Sequence, residues 1–359
     1  MKHKVLIYSP SYGIWGGGQI YIEQLCNYMN AKDVETCVVT AEPDAFACPT
    51  KEMANVLSKK KRLLSSLDIA KRYKKEGFDT VILNDLASLW LAPVFKLYGY
   101  RVISLLHLYL RKREGEGLGH AAPEYYLLKF SAKFCDHIFS VNRNNQEVFG
   151  KENVVFAGNY VPDWFVNAPK HTEGKQYDFI LIARFAVEKN IPLFISVLKK
   201  LNETQKRNFN ALIIGEGPEK AHIEESIREN GVEEYVTMQG WAKRKDLPEV
   251  YDLGKCFVIS SYHEGFATTL LEAHARGLPA IVTKTSGFCV DFVEGYGEKT
   301  GLVFEEKDLD DPHFLSQLAA LVDHYEDYEE KCKAKAQVFS EENVLGPIVD
   351  VIKREQEEL

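Results

Sequence analysis

Two carboxylates and two cations carry the chemistry this chain offers. Residues 262–278 read YHEGFATTLLEAHARGL, with Glu264 and Glu272 separated by seven residues. Apolar or small residues at Ala267, Leu270, Leu271, Ala273 and Ala275 give the period of a helix packed on a sheet. Thr268 and Thr269 stand at its start and Gly277 at its stop. A helix N-terminus offers N–H groups without an internal acceptor and a partial positive charge, a seat for phosphate. Glu264 falls in the loop before that seat; Glu272, four residues after Thr268, falls on the same face one turn deeper. A carboxylate at each end of a phosphate seat suits a ligand with hydroxyls at both ends, and a nucleotide sugar is such a ligand. The competing reading is a solvated helix face. The apolar surroundings weigh against it, because a buried carboxylate needs a hydrogen-bonding partner.

The cations follow an earlier strand. FILIA runs into Arg184, and Lys189 comes five positions later in ARFAVEKN. At the carboxyl end of a strand these suit a diphosphate, Arg as a bidentate fork and Lys as a point charge. The plainer alternative is a surface Arg and a helix-start Lys paired with Glu188. Near the N-terminus, consecutive Gly16, Gly17 and Gly18 let backbone approach a ligand and leave N–H groups for an anion, or simply make a tight turn. A nicotinamide reading with Glu42 as the ribose acid fails on the G-x-G-x-x-G spacing. Gly215-Glu-Gly-Pro218 ends one strand and opens a helix, with Pro at a helix-start position. Met238-Gln-Gly-Trp-Ala242 ends another; backbone there could read a base edge, while Trp241 could equally be a packing residue. His107 directly follows the strand VISLL, a position suited to a sugar. Asp308-Leu-Asp310 has the form of a metal-binding D-x-D but sits in an acidic run before a helix, where capping explains it. No H-E-x-x-H, G-x-S-x-G or Walker loop occurs, so no metal site is expected.

The elements that must position these residues alternate. Strand patterns fall at 3–9, 35–40, 79–83, 101–106 and 137–141, then at 177–183, 210–215, 235–238, 255–260, 279–283 and 301–304. Helix patterns fall at 19–29, 60–76, 87–97 and 123–134, then at 191–201, 219–230, 247–251, 268–276 and 313–328. Two βαβ series predict two doubly wound α/β domains, 1–165 and 172–340, with the helix at 341–359 returning to the first. Polar, proline-punctuated 162–175 reads as the linker. Ligands of such folds bind outside the carboxyl ends of the strands, so the active site is expected in a cleft between the domains.

Composition fixes the setting. A chain of 359 residues, 45% hydrophobic, can bury a large core and form two domains. Cysteines 26, 37, 48, 135, 256, 289 and 332 are odd in number and lack a C-x-x-C, which reads as reduced thiols of a cytosolic protein. The opening MKHKVLIYSP is too short an apolar run for a signal peptide, and 86–95 is too short to span a bilayer. Through residue 170 the chain has 22 Lys and Arg against 17 Asp and Glu, a net +5; the remainder has 22 against 35, a net −13. The basic residues cluster at Lys59, Lys60, Lys61 and Arg62, at Lys71, Arg72, Lys74 and Lys75, and at Arg111, Lys112 and Arg113. They make either solvated faces or a surface for anionic lipid or acidic glycan, where each Lys or Arg is worth about 1 kcal/mol. Nothing accompanies them that would recognise nucleic acid.

Taken together, the motifs resemble glycosyltransferase family four, retaining enzymes of the GT-B fold whose signature is two glutamates seven residues apart. HEGFATTLLE carries that signature, and the likeness extends through the Gly16–Gly18 loop, SVNRNNQEVF, NVVFAGNYVPDWF, ARFAVEKNIP, IIGEGPEKAHIEESIRENGV, QGWAKRKDLPEVY and GLPAIVT. Two departures stand out. Asn159-Tyr160 replaces the more usual Asn-Gly, and Ala267-Thr268-Thr269 replaces small-Leu-Val. The resemblance implies that Arg184 and Lys189 hold the donor diphosphate in place of a metal, with no cofactor needed. It implies that Glu272 binds the ribose, and that Glu264 holds the transferred sugar with the backbone of Gly265, Phe266 and Ala267. Thr268, Thr269, Leu270, Gly215 and Trp241 would complete the donor site; Gly17, Gly18 and His107 would meet the donor from the first domain. The implied reaction moves a hexose, from UDP ahead of GDP-mannose, to a glycan or lipid-linked glycan of bacterial surface polysaccharide or lipopolysaccharide. The protein would be cytoplasmic, with peripheral contact to an anionic membrane. Competing functions are a nucleotide-sugar epimerase of the same fold, a non-catalytic binding subunit of a larger synthase and a membrane-tethering module.

Overall fold

The computed structural model describes residues 3–10, 17–40, 50–52, 59–112, 120–171 and 174–354. Gly16, Glu42, Cys48 and Arg113 lie outside them, as do the side chains of Lys59 to Arg62. Chain contacts divide the protein into two units, Met1–Gly158 with Val344–Leu359, and Asn159–Asn343.

The first unit holds β1 (His3–Tyr8), β2 (Val34–Thr40), β3 (Thr50–Glu52), β4 (Thr80–Asn84), β5 (Arg101–Leu106), β6 (His137–Ser140) and β7 (Val154–Phe156). They pair in parallel in the order β3-β2-β1-β4-β5-β6-β7. The second unit holds β8 (Tyr177–Ile182), β9 (Ala211–Ile214), β10 (Val236–Gln239), β11 (Gly254–Ile259), β12 (Ala280–Thr283) and β13 (Gly301–Phe304), also parallel, in the order β10-β9-β8-β11-β12-β13. Strands such as TVILN and ALII are buried along their whole length because helices cover both faces of a parallel sheet. In each unit strand order reverses beside the first strand, between β1 and β4 and between β8 and β11. Backbone leaving the two strands at such a switch point departs to opposite sides and opens a crevice.

Several boundaries differ from the sequence expectation. Within the expected linker, residues 162–171 do not behave as a linker but pack into the second unit. The helix Asp163–Val166 buries Phe165 edge-on to Tyr251, with centroids 5.8 Å apart. Arg276 then donates to the carbonyls of Ala168 (2.8 Å) and Pro169 (3.0 Å), and the His171 amide donates to Asp252 (2.9 Å). The division therefore falls at Gly158, ahead of the expected 165–172. The helix Glu341–Arg354 belongs to the first unit from Val344 onward; Val344, Leu345, Ile348, Val349 and Ile352 are buried. Arg101 donates to the carbonyls of Val351 and Ile352 within that unit. The expected helix at 87–97 is two short ones, Leu86–Leu89 and Ala92–Leu97, because Pro93 starts a helix readily but cannot continue one.

Candidate active site

The switch point of the second sheet is where the sequence put its charges. Arg184 lies just past β8, and Glu264 lies past the neighbouring β11. Two hydrogen bonds lace the connecting loops together: the Tyr262 amide donates to the Glu188 carbonyl (2.9 Å), and Ser260 Oγ donates to the Lys189 carbonyl (2.8 Å). Lys189 thereby reaches across to Glu264 and forms an ion pair on Oε1, where Ser261 Oγ also donates at 3.0 Å. The Lys189 and Glu264 side chains keep 24% and 15% of their exposure, so the pair is shielded yet within reach of a ligand. Arg184 is more open and pairs with Glu188 at 2.7 Å. Arg184 is thus an exposed residue paired with Glu188, while Lys189 pairs across the crevice with Glu264.

The loop from Glu264 to Ala267 is built rigidly. Gly287 has φ +53°, and a Cβ there would stand 2.3 Å from the Glu264 carbonyl oxygen. The Phe288 amide donates to the Gly265 carbonyl at 3.1 Å. Asn159 Nδ2 donates to the Phe266 carbonyl. The Phe266 ring turns away into a cluster with Phe288, Phe292 and Phe339, so only its backbone borders the site. The Ala267 amide donates to Cys289 Sγ at 3.4 Å; burial pushes that thiol up to about 12 and keeps it protonated. The helix Thr268–Ala275 follows, with Leu270 fully buried and its amide bonded to the Ala267 carbonyl. Thr268 and Thr269 occupy the first turn, where amides have no helical acceptor.

One turn on, Glu272 is buried and accepts a 2.8 Å hydrogen bond from the Tyr251 hydroxyl on Oε2. Burial pushes its carboxyl up to about 7; the Tyr251 bond and the charge of Arg244 oppose that rise. Gly215 and Gly217 follow β9 with φ near +154°, and side chains there would strike the carbonyl oxygens of Ala183 and Phe185 at 1.9 and 2.2 Å. Both glycines are explained by this close passage of the β8 and β9 loops. Trp241 is 56% exposed and stands past β10.

The first unit carries its own cluster. His107 leaves β5 and its Nε2 lies 3.0 Å from Asn84 Oδ1; Asn84 Nδ2 donates to Ser9 Oγ at 2.9 Å. Tyr21 stands edge-on at 5.1 Å, and a Cβ on Gly18 would touch the ring at 3.5 Å. Burial lowers the His107 pKa, holding the imidazole neutral. Gly17 and Gly18 are the first two residues of the helix Gly17–Ala31.

The D-x-D acids are spent on structure. Asp308 accepts from the Glu305 amide (2.7 Å) in a capping box, and Asp310 pairs with Lys200 (2.8 Å). Sequence reading missed Ser261, Tyr251, Arg244 and Cys289. Their partners are set by folding, and only Ser261, three residues before Glu264, gave a local hint.

The profile described as "Glycosyl transferases group 1" matches residues 165–338, and that of "Glycosyltransferase Family 4" matches residues 15–154. The chain belongs to glycosyltransferase family four. Its fold is the family's GT-B fold. The lipopolysaccharide outer core galactosyltransferase WaaB superposes with a TM-score of 0.74 over 98% of this chain and 99% of that one, at 16% identity. HepE of Anabaena, solved with UDP and glucose, gives 0.75 over 99% and 100%, at 14% identity. At such identities the likeness speaks for the fold. Sulfoquinovosyl transferase SQD2 of Arabidopsis thaliana is 31% identical over 132 residues, 37% of this chain and 24% of the plant protein. The chain thus spans about a quarter of that relative's length, and family-four membership is the part of the likeness that carries over.

Proposed function

We propose that the protein is a retaining, metal-independent hexosyltransferase that takes its sugar from a UDP-hexose. The observation that carries this reading is the meeting of Lys189 and Glu264 across the β8/β11 switch point, with Arg184 beside them and Glu272 one helical turn deeper. Arg184 and Lys189 hold the diphosphate and stabilise the charge that grows on it as the sugar leaves, the task a divalent metal performs elsewhere. The first-turn amides of Thr268 and Thr269 add donors. Glu272 accepts from the ribose hydroxyls, and Glu264 holds the sugar. The acceptor hydroxyl attacks from the face the leaving phosphate departs, and a phosphate oxygen takes its proton, so no protein nucleophile is required. The UDP assignment is supported by HepE, solved with UDP and glucose, and a glycan or lipid-linked glycan acceptor by the lipopolysaccharide enzyme WaaB.

The membrane-facing part of the proposal rests on the first unit. The helix Ala122–Ser131 exposes Tyr126, Leu127 and Phe130 beside Lys129 and Lys133, with Lys112 over the Tyr126 ring at 5.6 Å. Apolar rings flanked by cations are the composition that binds an anionic leaflet peripherally. Among the described residues no helix is long and apolar enough to cross a membrane.

A thermal-shift panel of UDP-glucose, UDP-galactose, UDP-N-acetylglucosamine and GDP-mannose in excess chelator tests the donor reading. A shift of several degrees with one UDP-hexose is expected, since a ligand stabilises by RT ln(1 + [L]/Kd). Shifts that vanish with chelator would overturn metal independence. Proton NMR of the product anomer tests retention, and release of UDP on adding acceptor separates an enzyme from a binding subunit.

A further inference from the structure

Glu272 is held by a partner that the donor reading leaves without a task. The Tyr251 hydroxyl donates to Glu272 Oε2 at 2.8 Å, and both side chains are buried. The Tyr251 ring has nowhere else to go: Phe165 stands edge-on at 5.8 Å and Phe257 tilts against it at 5.6 Å. The next residue, Asp252, accepts from Arg276 Nε at 3.0 Å, and Arg276 lies one turn beyond Glu272. The helices Leu247–Asp252 and Thr268–Ala275 are thus fixed to each other on either side of the tyrosine bond. A carboxylate has about four acceptor positions on two oxygens. With Oε2 taken by a fixed donor, rotation of the group stops and Oε1 keeps a single heading.

We infer that Tyr251 is a positioning residue of the nucleotide site, its hydroxyl fixing the Glu272 carboxylate in the orientation that accepts the two ribose hydroxyls of a nucleoside diphosphate. This rests on the ribose role given to Glu272 above. The ionisation of both groups agrees with it. Burial holds the Tyr251 phenol well above its usual range, so it remains a donor at any working pH. Burial raises Glu272 to about 7, and the tyrosine bond is the first of the two influences that restrain the rise. Among the charged groups nearby, Asp252 and Arg276 neutralise each other, Lys333 pairs with Glu329 and Glu330, and Lys335 is bonded to backbone carbonyls. The charge that acts on Glu272 is that of Arg244.

The test measures binding of UDP and of inorganic pyrophosphate, which has the phosphates without the ribose, to the full chain between pH 6 and 9. Wild type is compared with Tyr251→Phe and Glu272→Gln. Tyr251→Phe should weaken UDP about tenfold at pH 7, the order expected for a bond to a charged group, and leave pyrophosphate unchanged. Wild-type affinity for UDP should rise through about pH 7 more than that of Glu272→Gln, which retains only the phosphate's own titration. In Tyr251→Phe that excess should move to higher pH. If Glu272→Gln weakens UDP while Tyr251→Phe matches wild type, the inference falls and the ribose assignment stands. Unchanged UDP binding in Glu272→Gln removes the ribose assignment itself, and the inference with it. Equal loss of UDP and pyrophosphate in Tyr251→Phe marks a packing role and also overturns it. Should Tyr251→Phe lose its fold, Glu272→Asp, which keeps the charge but draws it back from the hydroxyl, reads the same split between the two probes.

Discussion

At the scale of single residues, the ion pair between Lys189 and Glu264 sets the energetics of the site. A partly shielded pair resists removal of one partner more than a surface pair does, since the remaining charge loses its counter-ion in a poorly solvated place. On the proposed reading, a bound diphosphate would offer Lys189 a stronger anion than a single carboxylate and release Glu264 for hydroxyls. Lys189→Ala and Arg184→Ala should each lower kcat/KM at least about a hundredfold, as loss of one preorganised donor does; near-normal turnover in folded variants would remove the phosphate assignment. The two glutamates should separate by calorimetry with UDP. Glu272→Gln should weaken binding by roughly 1–3 kcal/mol, because the ribose is present in product and donor alike. Glu264→Gln should leave UDP as tight as wild type or tighter, since Lys189 loses a competitor, while transfer falls. Equal weakening in both would contradict the division. Arg184, Lys189, Glu264 and Glu272 were legible in the sequence because each follows a strand end or sits in a helical repeat. Tyr251 was not. It lies 21 residues from the carboxylate it touches and fits the apolar end of a short helix equally well.

At the scale of elements, strand ends place charge and helices hold the strands in register. Long alternating βαβ runs were legible because parallel strands buried on both faces are short apolar blocks. β3 and β7, three residues each, carry too little pattern to read. The segment 162–175 looked like a linker from its proline and polarity, yet residues 162–171 are fastened by Phe165 and by Arg276 reaching their carbonyls, contacts that no local pattern reveals. A second hidden fastening is Lys335. It is buried, and its ammonium donates to the carbonyls of Phe292 (2.6 Å) and Val293 (3.1 Å), near the C-terminus of the helix Phe288–Glu294, and to Thr300 Oγ1 (3.2 Å). Burial lowers it to about 8, and its charge suits the helix end it caps. That helix begins with Phe288 and Cys289, which brace the Glu264 loop. Lys335→Met removes a charged donor from the Phe292 carbonyl, while the Val293 carbonyl keeps the Thr300 amide (2.9 Å) and Thr300 Oγ1 keeps His274 Nε2 (2.9 Å). It should cost about 1–3 kcal/mol, read as a lower denaturation midpoint at unchanged m-value. A midpoint equal to wild type would show that water replaces the ammonium. UDP should still bind the folded variant, because the proposed phosphate ligands, Arg184 and Lys189, lie elsewhere.

At the scale of the whole molecule, charge is divided as the sequence suggested, +5 through residue 170 and −13 beyond. Net charge alone does not choose between a solvated face and a membrane surface, and the sequence offered nothing more. The structure adds apolar side chains that face solvent in the basic half. Leu128 anchors the helix Ala122–Ser131 in its core, while Tyr126, Leu127 and Phe130 are 58%, 45% and 55% exposed. A charged face with no apolar component would bind lipid only through screening-sensitive attraction; rings entering the interface add a salt-resistant part. The two contributions can therefore be separated. With vesicles containing phosphatidylglycerol, wild type should sediment at low salt and partly persist at high salt. Lys129→Glu with Lys133→Glu should abolish binding at low salt, since each cation near an anionic surface is worth about 1 kcal/mol and reversal doubles the change. Phe130→Ser should keep the low-salt binding and lose the salt-resistant fraction. Transfer to a soluble acceptor should be unaffected in both, because none of Lys129, Lys133 and Phe130 is among the residues proposed to hold the donor. A wild-type protein that ignores anionic vesicles at low salt would return these residues to the status of an ordinary solvated face, and equal binding to neutral vesicles would assign the contact to the rings alone.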